Sequence, residues 1–439
     1  MVEQPLNADE LQEAWSLLPR AERVEGFRLL PSDEAEEFFL DLDASQQHEL
    51  LTGLRPAERR LWLRLLPPDD AADLIQEAED EERAALLDLI DSQTRREINA
   101  LLAYEEDEAG GLMSSRFSRV RPDMSVDEAI AYLRRQALRD VDVETIYYIY
   151  VLDNEQRLQG VVSFRELFSS PGHKKVREVM NTDFVSVQDE MDQEEVARVF
   201  ADYDVVALPV VNEAHVMVGI VTVDDIVDVV EEETTEDVQK YGGMEALEEP
   251  YMRTTFIELM RKRVGWLALL FVGEMFTVSA LGIFEDQLKT AVVLSLFIPL
   301  IISSGGNSGS QASTLVIRAM TVGEVRLRDW WRVARREVFS GLTLGGVLGL
   351  LGFMRVYLGS VIGLDPQPYA FRLGLAIGFS LVGVVLLGTM AGSMLPFLLR
   401  RIGFDPASAS APLVATVVDL SGLLIYFAIA TLLLGGLLL

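Results

Sequence analysis

Residues 412–427 read PLVATVVDLSGLLIYF, an apolar run with one charged side chain, Asp419. About 20 such residues cross a bilayer as a helix. The apolar character extends over 413–438, and four further runs qualify, near 264–284, 291–315, 338–361 and 373–399. Asp419 lies six residues past Leu413, about 9 Å into its helix at the α-helical rise. A carboxylate inside a bilayer costs roughly 2.5 kcal/mol or more to insert, and by default it marks a functional position. Its partner is either a cation in transit or an arginine of a neighbouring helix. No other span carries a base at mid-depth, which favours the cation.

The loops around the spans orient them. Arg261, Lys262 and Arg263 precede the first span, Arg318, Arg326, Arg328, Arg332, Arg335 and Arg336 lie between the second and third, and Arg400 with Arg401 precedes the fifth. Bases collect on the cytoplasmic side. The other loops carry Glu285, Asp286 and Lys289, or Arg355, Asp365 and Arg372, and are poor in bases. A multi-pass protein of the cell's inner (plasma) membrane is expected, with its amino-terminal domains in the cytoplasm and its carboxyl terminus outside. The start, MVEQPLNADELQEAW, lacks a basic segment and an apolar core, so no signal peptide is expected.

Charge divides the chain in two. Residues 1–263 hold 60 acids and 27 bases, a net charge of -33, whereas the remaining 176 residues hold 9 and 11, a net charge of +2. An acidic soluble half thus precedes an almost uncharged membrane half. The overall charge of -31 repels nucleic acid. The absence of cysteine removes thiolate chemistry, and His48, His173 and His215 are too far apart for a zinc-type site. An oxygen-bound hard cation is the metal this composition favours. Neither a Ser/His/Asp set nor a nucleotide-hydrolysis loop is present, so no enzyme is indicated.

The soluble half is repetitive. Up to about residue 104, prolines at Pro19, Pro31, Pro56 and Pro67 punctuate acidic helical pieces about twelve residues apart or a multiple of that. Short helices stacked as a superhelix fit this period. Two copies of another unit follow. GLMSSRFSRVRPDMSVDEAIAYLR and EVMNTDFVSVQDEMDQEEVARVF share a Met, a short strand, an acid-capped turn and a helix. Each leads into a β-rich run whose hairpin turn is Val-Leu-Asp-Asn or Val-Val-Asn-Glu, with Gly160 and Gly219 where the second strand begins.

In the membrane half, Pro299 is followed by SSGGNSGSQ. Gly305 and Gly306 either loosen the helix and free carbonyls toward a cavity, beside the neutral oxygens of Asn307, Ser308, Ser310 and Gln311, or they let helices pack closely. Glu274 in the first span is open between a vestibule position and an ion pair or lipid-rim position.

The repeated unit resembles a tandem CBS module. Together with YEEDEAGGLM, TIYYIYV, VGIVTVDDIVDVVEEETTED, GGNSGSQ and PLVATVVDLSGLLIYF, the whole chain resembles the MgtE family of magnesium channels. The resemblance implies a multidomain membrane protein. Its parts would be an α-superhelical domain over 1–110, an α/β tandem CBS domain with units at 111–173 and 174–230, an acidic linker and connecting helix over 231–263, and a five-helix all-α transmembrane domain over 264–439. It implies a homodimer in the lipid bilayer that imports Mg2+ along its two-fold axis past Asp419, with Gly305, Gly306 and Asn307 lining the pore. Cytosolic Mg2+ would close the pore by bridging acids at Asp192, Glu194, Asp204, Asp225, Asp228, Glu233, Glu236 and Asp237, faced by Asp69 and Asp73, and acting through the helix 238–263. ATP is implied at Tyr148 and Arg165, although Val205 stands where an aromatic would sandwich adenine. Ala411 precedes Pro412 where the family often has Asn, which removes a polar ligand. The rival readings are a secondary exchanger coupled to H+ or Na+, and a CBS-gated receptor without transport.

Overall fold

A computed structural model describes residues 7–137, 145–247, 251–252, 254–363 and 369–435, in two compact units, Met1–Glu233 and Thr234–Leu439. The loop acid Asp365 lies outside the described residues.

The first unit opens with the short helices α1 (Ala8–Ala14), α2 (Arg20–Leu29), α3 (Ser32–Leu40), α4 (Ala44–Gly53), α5 (Pro56–Leu63), α6 (Pro68–Gln76), α7 (Asp80–Leu87) and α8 (Thr94–Leu101). Pro19, Pro31 and Pro67 occupy N-cap positions and Pro56 the first turn, where a missing N–H costs nothing. Each piece buries one face. Phe27, Phe39, Leu51, Leu74 and Ile98 form a continuous core that runs on into Val196 and Leu208 of the next domain.

After α9 (Ala109–Leu112), two equivalent three-stranded sheets follow: β1 (Arg119–Val120), β2 (Tyr148–Leu152) and β3 (Leu158–Ser163), then β4 (Val187–Gln188), β5 (Ala207–Val211) and β6 (Met217–Thr222). In each, the first pair is parallel, the second antiparallel, and the register shifts at the same place, Val151/Leu152 and Val210/Val211. Helices α10 (Val126–Ala137), α11 (Phe164–Ser169) and α12 (Gln193–Tyr203) flank them. The repeats exchange their entry segments: Ser114 bridges Ile220 of the second sheet, and Asn181 bridges Val161 of the first. Gly219 and Gly160 make room for this. A Cβ on Gly219 would lie 2.6 Å from Met113 Sδ, and one on Gly160 2.8 Å from Met180 Sδ. The duplicated methionine of the sequence is therefore the wedge that locks each repeat onto its twin.

Helix α13 (Val223–Tyr241) is continuous through the acidic run, and the chain then turns at Gly243, where φ is +79°. The expected connecting helix over 238–263 does not form as one piece. The left-handed turn ends α13, and α14 (Phe256–Ile283) already contains Arg261, Lys262 and Arg263. After α15 (Glu285–Thr290) come α16 (Ile298–Thr321), α17 (Trp330–Val361), α18 (Ala370–Arg401) and α19 (Ala411–Leu434). Among the described residues, five helices are thus long and apolar enough to cross a membrane. Two begin eight residues before the expected limits, at Phe256 and Trp330, so Arg261, Lys262 and Arg263, and likewise Arg332, Arg335 and Arg336, are helical rather than in loops. Leu294, Ile377, Val384, Val418 and Phe427 form the core of this unit, and Tyr426 Oη donates to the Leu294 carbonyl at 2.8 Å.

Candidate cation path and acidic site

Ser410 caps α19, accepting from the Leu413 N–H at 3.4 Å, and Pro412 occupies its first turn. This start places Asp419 eight residues along the helix, half-buried. Its side chain approaches that of Glu274 on α14, and among the described residues no base contributes to its surroundings. The two helices approach closely because Gly273, beside Glu274, leaves room for Thr416: a Cβ there would lie 2.6 Å from Thr416 Cγ2. The arginine partner considered for Asp419 is thus absent among the described residues, and Glu274 faces the carboxylate. Sequence spacing could not pair residues 145 positions apart, although each is an acid in an apolar run.

The glycine run behaves differently from the freed-carbonyl expectation. Helix α16 continues unbroken through SSGGNSGSQ, and the irregular backbone lies earlier, in the 3-10 turn Val292–Phe297. Gly305 and Gly306 are buried, and their carbonyls remain those of a regular helix. The cause is packing. A Cβ on Gly309 would lie 2.8 Å from the Gly388 carbonyl of α18, and Cβ atoms on Gly388 and Gly392 would collide with the carbonyls of Gly305 and Gly309. Gly306 faces Ala415, one turn before Asp419, with 3.7 Å left for its missing Cβ.

The opposite face of α16 is polar and uncovered. Ser303, Asn307, Gln311 and Thr314 are exposed at helical spacing, and Asn307 Nδ2 donates to Ser303 Oγ at 3.4 Å. Four polar side chains on the open side of a membrane span need water, an ion or a second protein surface. The end of α13 docks at this face within the same unit. Tyr241 Oη donates to the Ser310 carbonyl at 3.0 Å and contacts Thr314, and Asp237 accepts from Thr321 Oγ1 at 3.2 Å. Lys240 pairs with Glu236 and, at 2.8 Å, with Asp405 in the turn before α19. Burial opposes the Lys240 charge, but its hydrogen bonds to Asp405 and Glu236 outweigh that and hold the ammonium protonated. Burial, with Asp405 nearby, raises the Asp237 carboxyl above the usual range. Tyr241, Thr321 and Asp405 were not singled out in the sequence, because their roles depend on where α13 ends.

In the first unit the expected regulatory acids separate into groups. Asp69, Asp73 and Asp225 come together with Asp70 and Glu106. Burial, reinforced by Asp70, Glu106, Asp69 and Asp225, pushes Asp73 up to about 8. Burial also pushes Asp225 up to about 7, against its hydrogen bonds from Thr222 Oγ1 (2.6 Å) and the Thr222 N–H (3.2 Å). Asp69 is only 7 % exposed, and burial raises it as well. The others have local roles. Asp192 caps α12, accepting from the Glu194 and Glu195 N–H groups at 2.9 and 3.4 Å, while Glu194 pairs with Arg198. Asp204 ends α12 in the left-handed region at φ 51°, Glu233 accepts from Gln193 Nε2 at 2.6 Å, and Asp228 lies exposed on α13. Glu236 and Asp237 belong to the second unit. Among the described residues, no three acids or histidines converge as a ready-made metal site.

A cleft of about 350 Å³ lies between the repeats, lined by Tyr148 and Val205 and also by Tyr150, Asp183, Phe184 and Tyr203. Arg165 is exposed on α11, between Ser163 and Glu166, which line the cleft. Phe184 and Tyr203 supply the aromatic surface that Val205 lacks, and the repeat alignment alone did not single them out.

Family models for the MgtE intracellular N domain, the CBS domain and a divalent cation transporter named MgtE match residues 6–107, 109–171 with 176–232, and 298–429. The chain is 43% identical to the magnesium transporter MgtE of Thermus thermophilus over 432 residues, 98% of this chain and 93% of the relative. It is 35% identical to the magnesium transporter MgtE of Enterococcus faecalis, over 77% of this chain and 72% of that one. A crystal structure of the cytosolic domain of the Mg2+ channel MgtE in complex with ATP is 45% identical, covering 51% of this chain and 90% of that chain with a TM-score of 0.47.

Proposed function

The chain belongs to the MgtE family of divalent cation transporters, and from that premise we propose that it is a homodimeric magnesium channel that cytosolic magnesium closes. The observation that carries this reading is the exposed polar face of α16, Ser303, Asn307 and Gln311, in the same unit as Asp419. Two copies brought together about a two-fold axis would turn these faces inward and enclose a hydrated path. Magnesium keeps its water reluctantly exchanged, so neutral oxygens and a few carboxylates at one remove suit it better than a tight cage. Asp419 and Glu274 would supply the negative charge, Asn307 and its neighbours the neutral oxygens, and Gly305 and Gly306 the close packing that holds α16 in place. With the α13 end seated on Ser310 and Thr314, that helix is positioned to obstruct the path.

The acids of the first unit then act as the sensor. Asp69, Asp73 and Asp225 repel one another when ionised, and divalent cations bound there and at the other acids, Asp192, Glu194, Asp204, Asp228, Glu233, Glu236 and Asp237, would favour the closed arrangement. Adenine nucleotide would enter the aromatic cleft of Tyr148, Phe184 and Tyr203, with the exposed Arg165 at its edge to meet phosphate. The bases at Arg261–Arg263 and Arg326–Arg336 support an orientation with the amino-terminal domains in the cytoplasm and the carboxyl terminus outside, in the plasma membrane.

The second reading, an exchanger coupled to H+ or Na+, draws on the Glu274–Asp419 contact, since a carboxyl pair can trade a proton for a cation. Purified protein in a planar bilayer with symmetric magnesium separates the two. A channel gives unitary currents above carrier turnover and no proton movement, whereas an exchanger gives no unitary current and an opposing proton or sodium flux.

A further inference from the structure

Helix α17 divides lengthwise into two faces. One packs against α18 through buried small residues, Gly341, Gly345, Gly349 and Gly352; a Cβ on Gly345 would lie 2.9 Å from Val382 Cα. The opposite face is open: Phe339 is 75% exposed and Leu350 60%. In a bilayer those side chains meet acyl chains. Arg332 and Arg336 stand at the head of that same face, at positions i-7 and i-3 from Phe339. The Arg332 side chain is 84% exposed, with Asp329 of the preceding turn at 3.9 Å. Trp331, 64% exposed, stands next to it and meets Trp330 edge-on with ring centroids 5.5 Å apart.

A guanidinium and an indole at the end of an acyl-facing stripe sit at headgroup depth, where tryptophan anchors helices and arginine binds phosphate through paired N–H groups. The continuation of the stripe selects the occupant. A phosphate carried on a lipid lays its tails along Phe339 and Leu350, which neither free phosphate nor the acidic soluble half of this chain can do. We propose that Arg332 and Arg336, with Trp331, form a docking surface for an anionic phospholipid in the leaflet at the amino-terminal end of α17.

The full chain in nanodiscs of phosphatidylcholine, with and without phosphatidylglycerol, tests this by thermal midpoint and by native mass spectrometry of retained lipid. Phosphatidylglycerol should raise the wild-type midpoint by several degrees. Arg332→Gln with Arg336→Gln should remove most of that rise and lower retained phosphatidylglycerol about tenfold, while the double Lys variant keeps part of both. An undiminished rise in the double Gln variant overturns the proposal. So does an equal rise with inorganic phosphate in phosphatidylcholine alone, which would indicate a free-anion site. A loss of stability as large in pure phosphatidylcholine also overturns it, because the arginines would then hold protein rather than lipid.

Discussion

Two places in this chain hold carboxyl groups against one another, and they differ in solvent. Asp69, Asp73 and Asp225 gather on helices of the acidic soluble unit, largely buried beside further acids. Glu274 and Asp419 meet between two apolar helices, with no base beside Asp419 among the described residues. In a soluble domain, repulsion among partly buried carboxylates is relieved by protonation or by a cation taken up from solution, so such a cluster would report concentration. Within the membrane the same repulsion is far less screened, and in the proposed channel the cation that relieves it would be the one in transit. On that reading similar chemistry would serve sensing in one unit and ion selection in the other.

The strongest way to break that contrast is at Asp419. Asp419→Ala and Asp419→Asn should each lower magnesium uptake into proteoliposomes by about 100-fold, equivalent to about 3 kcal/mol for an uncompensated charge site. Size-exclusion profiles should stay unchanged. Uptake near wild type in the Asn variant would remove the charge requirement. Glu274→Gln comes next, with about a tenfold fall in uptake, because Asp419 would retain the ion with half the charge on each chain. An unchanged rate would make Glu274 a packing contact.

Of the fold, most was legible. Proline spacing disclosed the short helices, the duplicated Met-strand-helix pattern disclosed the paired sheets, and uninterrupted apolar runs disclosed the spans. Local periodicity encodes all of these. The exchange of Met113 and Met180 between repeats was not legible, because Gly219 and Gly160 show their purpose only when a neighbour's sulfur lies 2.6 or 2.8 Å from the missing Cβ. In the same way the GGNSG run permits either a broken helix or a tight contact, and the glycines of α18, about 80 residues away in the chain, decide for contact. Asp419 stood out as a charge in an apolar run. Its pairing with Glu274 and the seat of Tyr241 at Ser310 are long-range facts that one helix pattern cannot carry.

A smaller effect sharpens the soluble side. Asp73→Asn with Asp225→Asn should leave maximal uptake intact and raise the internal magnesium needed for half-closure several-fold, read by uptake at graded lumenal magnesium. An unchanged closure curve would take these acids out of the sensor. The smallest effect is on pH. Unfolded Asp73 and Asp225 lose their protons near about 4, whereas the folded unit holds them to about 8 and about 7. The folded state therefore binds more protons between those values, and the stability this confers is lost as pH rises from about 4 toward 8. Without magnesium, hydrogen-exchange protection at α6 and the start of α13, relative to the intrinsic rate at each pH, should fall several-fold between about pH 5.5 and about pH 8. Millimolar magnesium should restore it, and Asp73→Asn should flatten the profile.

Division of labour between the two units is tested most directly by cutting them apart. The cut belongs before Thr234, since the α13 end from there to Tyr241 packs within the membrane unit through Lys240, Asp237 and Tyr241. Magnesium uptake by this truncated chain, inserted in proteoliposomes and confirmed as a dimer, should be measured against internal magnesium beside the full chain. A sensor joined to a pore predicts that uptake persists and no longer falls as internal magnesium rises. Uptake that is lost in a correctly inserted dimer, or that still closes at the same internal magnesium as the full chain, would contradict it.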